Sequence, residues 1–360
     1  MPKVLTEEEV GARIEEMRRR PQRFRDERIT MAHGAGGKAS RALVEGLVVP
    51  LLGEHAPAAL GDAAELKADG TALAFTTDSF VVRPLSFPGG TIGELAVNGT
   101  VNDLAVSGAR PLALSLAMIL EEGLAASVLE EQVRAIAAAA AAAGVPIATG
   151  DTKVVERGKC DGMYLTTAGV GIQRPDATLA PERVRPGDKV LVSGTIGDHG
   201  VAIMLARGGL DLQAQVRSDT RSLWPVAAAL LDACGTAAHC LRDATRGGVA
   251  TVLNEIAAAA EVGVLIAEDR VPIRPEVTGA CEILGIDPLY VANEGKLVAF
   301  VAPEAADAAL EALRRTEGGA DAALIGEVRD EPPGRVLGRT GFGGHRIIDV
   351  LVGDPLPRIC

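Results

Sequence analysis

Apolar residues recur at helical spacing over residues 40–52, where Leu43, Val44, Leu47, Val48 and Leu51 share one side. The same spacing predicts a helix over 91–107 (Ile92, Leu95, Ala96, Val101, Leu104, Ala105) and another over 125–143, which ends in an alanine-rich run. Short apolar runs at 73–77, 112–119 and 164–171, with a shorter one opening at 147, predict strands between and after these helices. Residues 174–187 interrupt the pattern with prolines, glycines and charges, as an inter-domain connection would. Beyond them come predicted strands at 189–193, 297–301 and 322–328 and helices at 223–233, 249–260 and 303–315. Residues 329–352 look irregular, with one apolar run at 347–352. The mixture predicts an α/β (α+β) protein of two domains, 29–173 and 174–335. A charged helical extension (1–28) precedes them, and a flexible tail (336–360) ends in cysteine.

Composition narrows the function. The chain has 360 residues, 48% of them apolar, enough for a core in each of two domains. Its 36 basic and 48 acidic residues leave a net charge of −12, which argues against nucleic acid or an anionic membrane as partner. No stretch reaches the roughly 20 apolar residues of a membrane span, and the charged N-terminus is no signal peptide, so a cytoplasmic protein is expected. Cysteines stand at 160, 234, 240, 281 and 360 without a C-x-x-C pair. This is not a disulfide framework, and the internal four suit buried apolar sites.

The candidate chemistry sits in polar segments that interrupt the apolar pattern. His33-Gly-Ala-Gly-Gly-Lys38 precedes a helix and suits an anion, with Gly36, Gly37 and Lys38 offering backbone N–H groups and a cation. It is not a P-loop, because Ala39 follows the lysine. Asp62, Asp78, Asp103 and Asp151 stand mostly where elements are expected to end, and Asp243 precedes a further glycine-containing helix start. Hard carboxylate oxygens of this kind suit Mg²⁺ and nucleotide phosphates. Asn98 and Asn102 share one face of the 91–107 helix beside Asp103. His199 reads either as an acid–base group or as a hydrogen-bonded turn histidine, and Glu294 as a general base or a surface turn residue. Cys360 follows two prolines, Pro355 and Pro357, that hold the end of the chain extended, so its thiol can be carried to a site elsewhere.

Taken in order, several segments resemble one family. They are His33–Lys38, Gly61-Asp-Ala-Ala64, Thr76-Thr-Asp-Ser79, Val101-Asn-Asp103, Thr149-Gly-Asp-Thr-Lys-Val-Val155, Gly194-Thr-Ile-Gly-Asp-His-Gly200, Arg242-Asp-Ala-Thr-Arg-Gly-Gly248, Ala292-Asn-Glu-Gly-Lys296 and Pro357-Arg-Ile-Cys360. The chain from about residue 29 onward is similar to the HypE family of hydrogenase maturation factors, the carbamoyl dehydratases. That family shares its fold with aminoimidazole ribonucleotide synthetase, selenophosphate synthetase and thiamine-phosphate kinase. The resemblance implies a homodimer that binds ATP and Mg²⁺, a carbamoyltransferase partner (HypF) that loads Cys360, and a HypC–HypD complex that receives cyanide. It implies catalysis by Cys360, Lys153 and Glu294. It implies ATP contacts from Gly36, Gly37, Lys38, Asp62, Asp78, Asn98, Asn102, Asp103, Asp151 and Thr152, and cation contacts from Asp62, Asp78, Asp103, Asp151 and Asp243. The alternatives are a selenophosphate synthetase, which normally carries Cys or selenocysteine in the glycine loop where residues 33–38 have neither, a small-molecule kinase of the fold, or a non-enzymatic cysteine carrier.

Overall fold

The computed structural model describes residues 24–57, 60–208, 215–351 and 358–360. They fall into two compact units, residues 1–59 with 351–354, and residues 60–350 with 355–360. Most of the expected helix over 6–28, and the prolines at 355 and 357, lie outside the described residues.

In the first unit, α1 (Lys38–Leu43) runs through a π-helical turn (Val44–Val48) into α2 (Val49–Leu52). Pro50 has no N–H to return to the preceding turn, and the helix is wound wide just before it. Gly36 adopts a positive φ of 77°, and its N–H donates to Ser40 Oγ at 2.9 Å. A side chain at Gly37 would stand 2.7 Å from the Leu351 carbonyl oxygen, so the loop needs glycine there. The Lys38 N–H donates to that same oxygen at 3.4 Å.

Among the described residues the second unit holds two large sheets and a two-stranded ribbon, β3 (Ser86–Phe87) with β4 (Gly90–Thr91). The first has the order β1-β2-β7-β5-β6, from Ala64–Ala68, Thr71–Phe80, Met163–Gln173, Ala109–Glu121 and Ile147–Val155. Only β5 and β6 run parallel, joined by α4 (Ala126–Ala143). Buried and half-buried residues alternate along β7, as expected for a strand with one covered face. α3 (Ile92–Val106) packs on the buried face and is enclosed on nearly every side. Its N-terminus is capped by Thr91, whose side chain accepts from the Glu94 N–H at 3.2 Å.

The second sheet orders seven strands as β14-β13-β10-β12-β8-β11-β9. These are His345–Ile348, Arg335–Arg339, Gly263–Ala267, Ala323–Arg329, Lys189–Val192, Leu297–Val301 and Ala238–Asp243. β11 is wholly buried because both of its faces are covered. Val298 and Phe300 join one cluster with Val249, Leu253 and Ile256 of α7 (Gly248–Ala260). Leu297, Ala299 and Val301 join another with Val226 and Leu230 of α6 (Trp224–Cys234) and Ala309 and Leu313 of α9 (Ala306–Arg315). That arrangement accounts for the unbroken apolar run at 297–301. α5 (Asp198–Ala206) and α8 (Pro275–Leu284) complete the helices of the described residues.

The stretch expected to be irregular after residue 329 contains β13 and β14. Their apolar residues are interrupted by charge because they lie at the sheet edge, where His345 and Ile347 face solvent. Asp78 and Asp151 were expected where strands end; both lie within longer strands, β2 and β6.

Candidate active site

Three carboxylates converge from separate elements of the second unit. They belong to Asp62 in the loop before β1, Asp103 on α3 and Asp243 at the end of β9, and one oxygen from each lies within 4.8 Å of the others. The Thr76 hydroxyl bridges the Asp62 carbonyl oxygen and Asp103 Oδ2, each at 2.7 Å. Asp78, two residues along β2 and therefore on the same face, lies close enough to Asp103 for each carboxyl to perturb the other. It also lies 3.4 Å from the Thr100 hydroxyl. Arg242 pairs with Asp62 at the rim of the group.

Burial and mutual repulsion act together on these acids. The Asp243 carboxyl is pushed up to about 8, first by burial and then by the charges of Asp62 and Asp78. Asp103 is held well above the carboxylate range by burial, then by Asp78, Asp243 and Asp62. Burial raises Asp62 as well, with a smaller push from Asp78 against the pull of Arg242, and burial raises Asp78 against neighbours that lower it. A divalent cation would offset this repulsion, and a set of buried carboxylate oxygens matches the donor preference of Mg²⁺.

Asp151, Thr152 and Lys153 stand apart from that group. They lie on β6, at the other end of the sheet from β1, about three strand spacings or roughly 14 Å from β2. Lys153 Nζ is 2.6 Å from Asp151 Oδ2, with the two side chains 68% and 63% exposed. This contact draws the Asp151 pKa down. Among the described residues, no hydrogen bond or ion pair joins Lys153 to Glu294.

Glu294 is 3% exposed, and its Oε1 has no hydrogen-bond partner. Burial first, then the charges of Asp243, Asp219 and Asp78, raise its pKa well above the usual value. Its backbone is anchored at both ends. The N–H donates to Asp219 Oδ1 at 3.1 Å, and the carbonyl accepts from Asn102 Nδ2 at 3.1 Å. Asn102 also donates to the Arg221 carbonyl, and its Oδ1 accepts from the Leu223 N–H at 2.7 Å. Asn98 donates to Thr220 Oγ1 at 3.2 Å. The two asparagines thus tie α3 to the 219–223 segment and to Glu294.

The end of the chain is docked on the same unit. The Val81 N–H donates to a main-chain oxygen of Cys360 at 3.0 Å, and the Arg358 guanidinium returns two hydrogen bonds to the Val81 carbonyl. Arg358 also pairs with Asp161. Ile359 is buried in the core cluster that contains Phe80 and Val82. The Arg246 guanidinium lies in the field of Cys360 first, and of Asp78, Glu294 and Asp103, all of which favour its charge.

Residues 60–173 match the AIR synthase related protein N-terminal domain, and residues 185–338 its C-terminal domain. Carbamoyl dehydratase HypE of Rhodobacter capsulatus is 53% identical over 340 residues, covering 94% of this chain and 99% of that protein. The chain belongs to the HypE family of the AIR synthase superfamily. HypE of Escherichia coli (strain K12) is 47% identical over 337 residues, covering 92% of this chain and 99% of that protein. A solved HypE in complex with ATP superposes with a TM-score of 0.78 at 46% identity, covering 92% of this chain and 100% of that one. A chain from a solved HypE–HypF complex superposes at 0.81 with 44% identity, covering 86% of this chain and 100% of that one.

Sequence reasoning passed over Asp219, Arg246 and Thr76 as site residues. Arg246 and Thr76 lie within segments that carried the family resemblance. Asp219 follows the six undescribed residues 209–214 and lies outside regular structure. Only the folding of its loop under Glu294 reveals it.

Proposed function

We propose that the protein dehydrates a carbamoyl group carried on Cys360 Sγ to a thiocyanate, using ATP, and so supplies cyanide for the iron of [NiFe] hydrogenase. The observation that carries this proposal is the docked Cys360 end, held at Val81 with Ile359 in the core, with Arg246 in the field of both Cys360 and the acids Glu294, Asp78 and Asp103. A non-enzymatic cysteine carrier would have no use for that convergence. Family membership supports ATP as co-substrate and HypF as the partner that loads the thiol, since relatives have been solved with each. We assign delivery of the product to the HypC–HypD complex.

The reaction must remove an oxygen that is a poor leaving group. Transfer of the γ-phosphoryl group of ATP to the carbamoyl oxygen turns it into phosphate. Loss of that phosphate, with both protons removed from nitrogen, leaves S–C≡N, ADP and inorganic phosphate. Mg²⁺, when bound, neutralises phosphate charge during the transfer. We assign its binding to Asp62, Asp103 and Asp243, with Asp78 beside them. Arg246 offers a positive charge felt by both the Cys360 end and the acids. Glu294 Oε1, buried without a partner, is our candidate for the group that takes a nitrogen proton.

Lys153 takes the second proton in this proposal. Its place on an exposed edge strand fits a homodimer in which the β6 edge of one copy completes the site of the other. The same arrangement brings Asp151 and Thr152 toward the nucleotide. The glycine loop with Gly36, Gly37 and Lys38 is assigned to phosphate contacts. Asn98 and Asn102 serve the nucleotide site by holding its wall.

Mass spectrometry of the C-terminal peptide tests the proposal. With the carbamoyltransferase and its substrate present, Cys360 should gain a carbamoyl group that loses one water only when ATP is consumed. A carbamoyl group that persists through ATP turnover would remove the dehydratase assignment, and a Cys360→Ala chain that is still cyanated would remove the carrier.

A further inference from the structure

His199 is the second residue of α5 and has no solvent exposure. Its Nε2 lies 2.7 Å from the Ile359 carbonyl oxygen, and its Nδ1 lies 2.8 Å from Ser218 Oγ. A carbonyl oxygen only accepts, so Nε2 carries the proton. Burial keeps the ring neutral, which leaves Nδ1 to accept from the Ser218 hydroxyl. The Phe87 ring meets the imidazole edge-on at 5.6 Å and limits its rotation. Both ring nitrogens, and therefore the tautomer, are set by the fold.

The Ile359 carbonyl belongs to the peptide plane that carries Cys360. His199 holds one side of Cys360 through that oxygen, and the Val81 N–H holds the other through a main-chain oxygen of Cys360 at 3.0 Å. With the backbone fixed at two points, the thiol is left with rotation about its own side-chain bond. Arg358 and Arg207 also contact this segment, in half-exposed or exposed surroundings where solvent weakens them, while Ile359 packs in the core and Arg246 acts on Cys360 through its charge. The Ser218 that sets the His199 tautomer is followed directly by Asp219, which accepts from the Glu294 N–H. One connected set of hydrogen bonds therefore places both the substrate-bearing residue and the proposed base.

We infer that His199 is a positioning residue for the dehydration step, holding the Ile359–Cys360 peptide through Nε2–H so that the Cys360 sulfur stays at the site. This inference rests on the proposed dehydratase function and adds a residue to it. The hold should favour the step carried out on the docked end and oppose loading by a separate protein, which needs the thiol accessible.

Two near-isosteric substitutions separate the contacts. The Gln amide in His199→Gln can place an N–H where Nε2 stands, keeping the Ile359 contact and losing Ser218. The Asn amide in His199→Asn reaches only the Nδ1 position, keeping Ser218 and losing Ile359. The measurements, on full-length protein, are the rate of Cys360 alkylation by iodoacetamide, read by peptide mass, and the rates of carbamoyl loading and water loss. Urea midpoints identify any variant that has lost the fold.

Losing the Nε2 hydrogen bond should make His199→Asn alkylate Cys360 on the order of tenfold faster than wild type, while His199→Gln stays within about twofold. Water loss should slow in the same order, and loading should not slow in either. Equal alkylation by the two folded variants, or no change in His199→Asn, would overturn the inference. If the alkylation order holds while wild-type protein never loses water from its carbamoyl group, the dehydratase assignment fails and the His199 hold on the chain end stands.

Discussion

Asp219 and Lys296 form an ion pair at 2.9 Å with both side chains almost wholly buried, at 5% and 7% exposure. The same carboxylate accepts from the Glu294 and Gly295 N–H groups at 3.1 and 3.2 Å. Burial pushes the Asp219 carboxyl up, but the Lys296 ammonium above all, with these hydrogen bonds, brings it net below its ordinary value.

Removing one partner of such a pair strands the other in the core. Asp219→Ala should cost about 3–5 kcal/mol of stability, read from urea unfolding, and Asp219→Asn less, because the amide still fills the site. The folded pKa lies below the unfolded value of about 3.9. The stabilisation is therefore present above that value and lost as pH falls through the folded pKa. Asp219→Asn should remove this part of the acid lability below about pH 4.

Asp243 has the opposite sign. Its folded pKa of about 8 lies far above the unfolded value of about 3.9. Its contribution is fully present below the unfolded value and is lost as pH rises toward 8. In a chelator, Tm should fall between pH 5 and 8, and Asp243→Asn should flatten that fall. Added Mg²⁺ should raise Tm at pH 8 in the native chain and much less in Asp243→Asn. A native Tm that is indifferent to Mg²⁺ would remove the cation assignment.

Glu294→Gln preserves the shape of a residue whose Oε1 makes no hydrogen bond and whose charged form is already disfavoured by burial. The urea midpoint should not drop. The water-loss rate should fall by about 10²–10⁴-fold, the usual contribution of a general base, while calorimetry shows ATP binding retained. Unchanged water loss would strip Glu294 of the proposed role.

Lys153 is predicted to act across a dimer. Lys153→Ala and Glu294→Gln homodimers should each be inactive. Mixed and reassembled, half of the dimers would be heterodimers with one intact site in two, so activity should return to roughly a quarter of wild type. No recovery in confirmed heterodimers would place Lys153 and Glu294 in the same subunit's site, or take Lys153 out of the chemistry.

Much of the fold was legible because its elements obey local rules. The helix at 91–107, expected from apolar spacing, is α3 (Ile92–Val106), and the apolar run at 297–301 is β11. Several elements with weaker local signals were passed over, among them β1, β9, β10, β13, β14 and α8. β10 is a five-residue strand whose order comes from neighbours distant in sequence, and β13 and β14 carry charge at a sheet edge. Leu51, placed by its spacing on the apolar side of the helix after the glycine loop, is 78% exposed in the described residues.

The candidate site divides in the same way. Asp62, Asp103, Asp243, Glu294 and Cys360 could be picked from the sequence by residue type and by the motifs around them. Their convergence required long-range pairing. Asp62 and Asp243 are 181 positions apart in the chain, and one oxygen of each comes within 4.8 Å only because the strands and α3 pack in one order. His199 could be read as a turn histidine from its neighbours, whereas its hold on Ile359 spans 160 positions. Side-chain chemistry and local backbone preference are properties of the sequence by itself, and they determined the family, the candidate groups and most elements. Distance, burial and therefore pKa depend on which surfaces exclude water from one another. Only the tertiary structure decided that Asp243 is held near 8, that Asp219 lies beneath Glu294, and that Asp151 and Lys153 stand on an exposed edge.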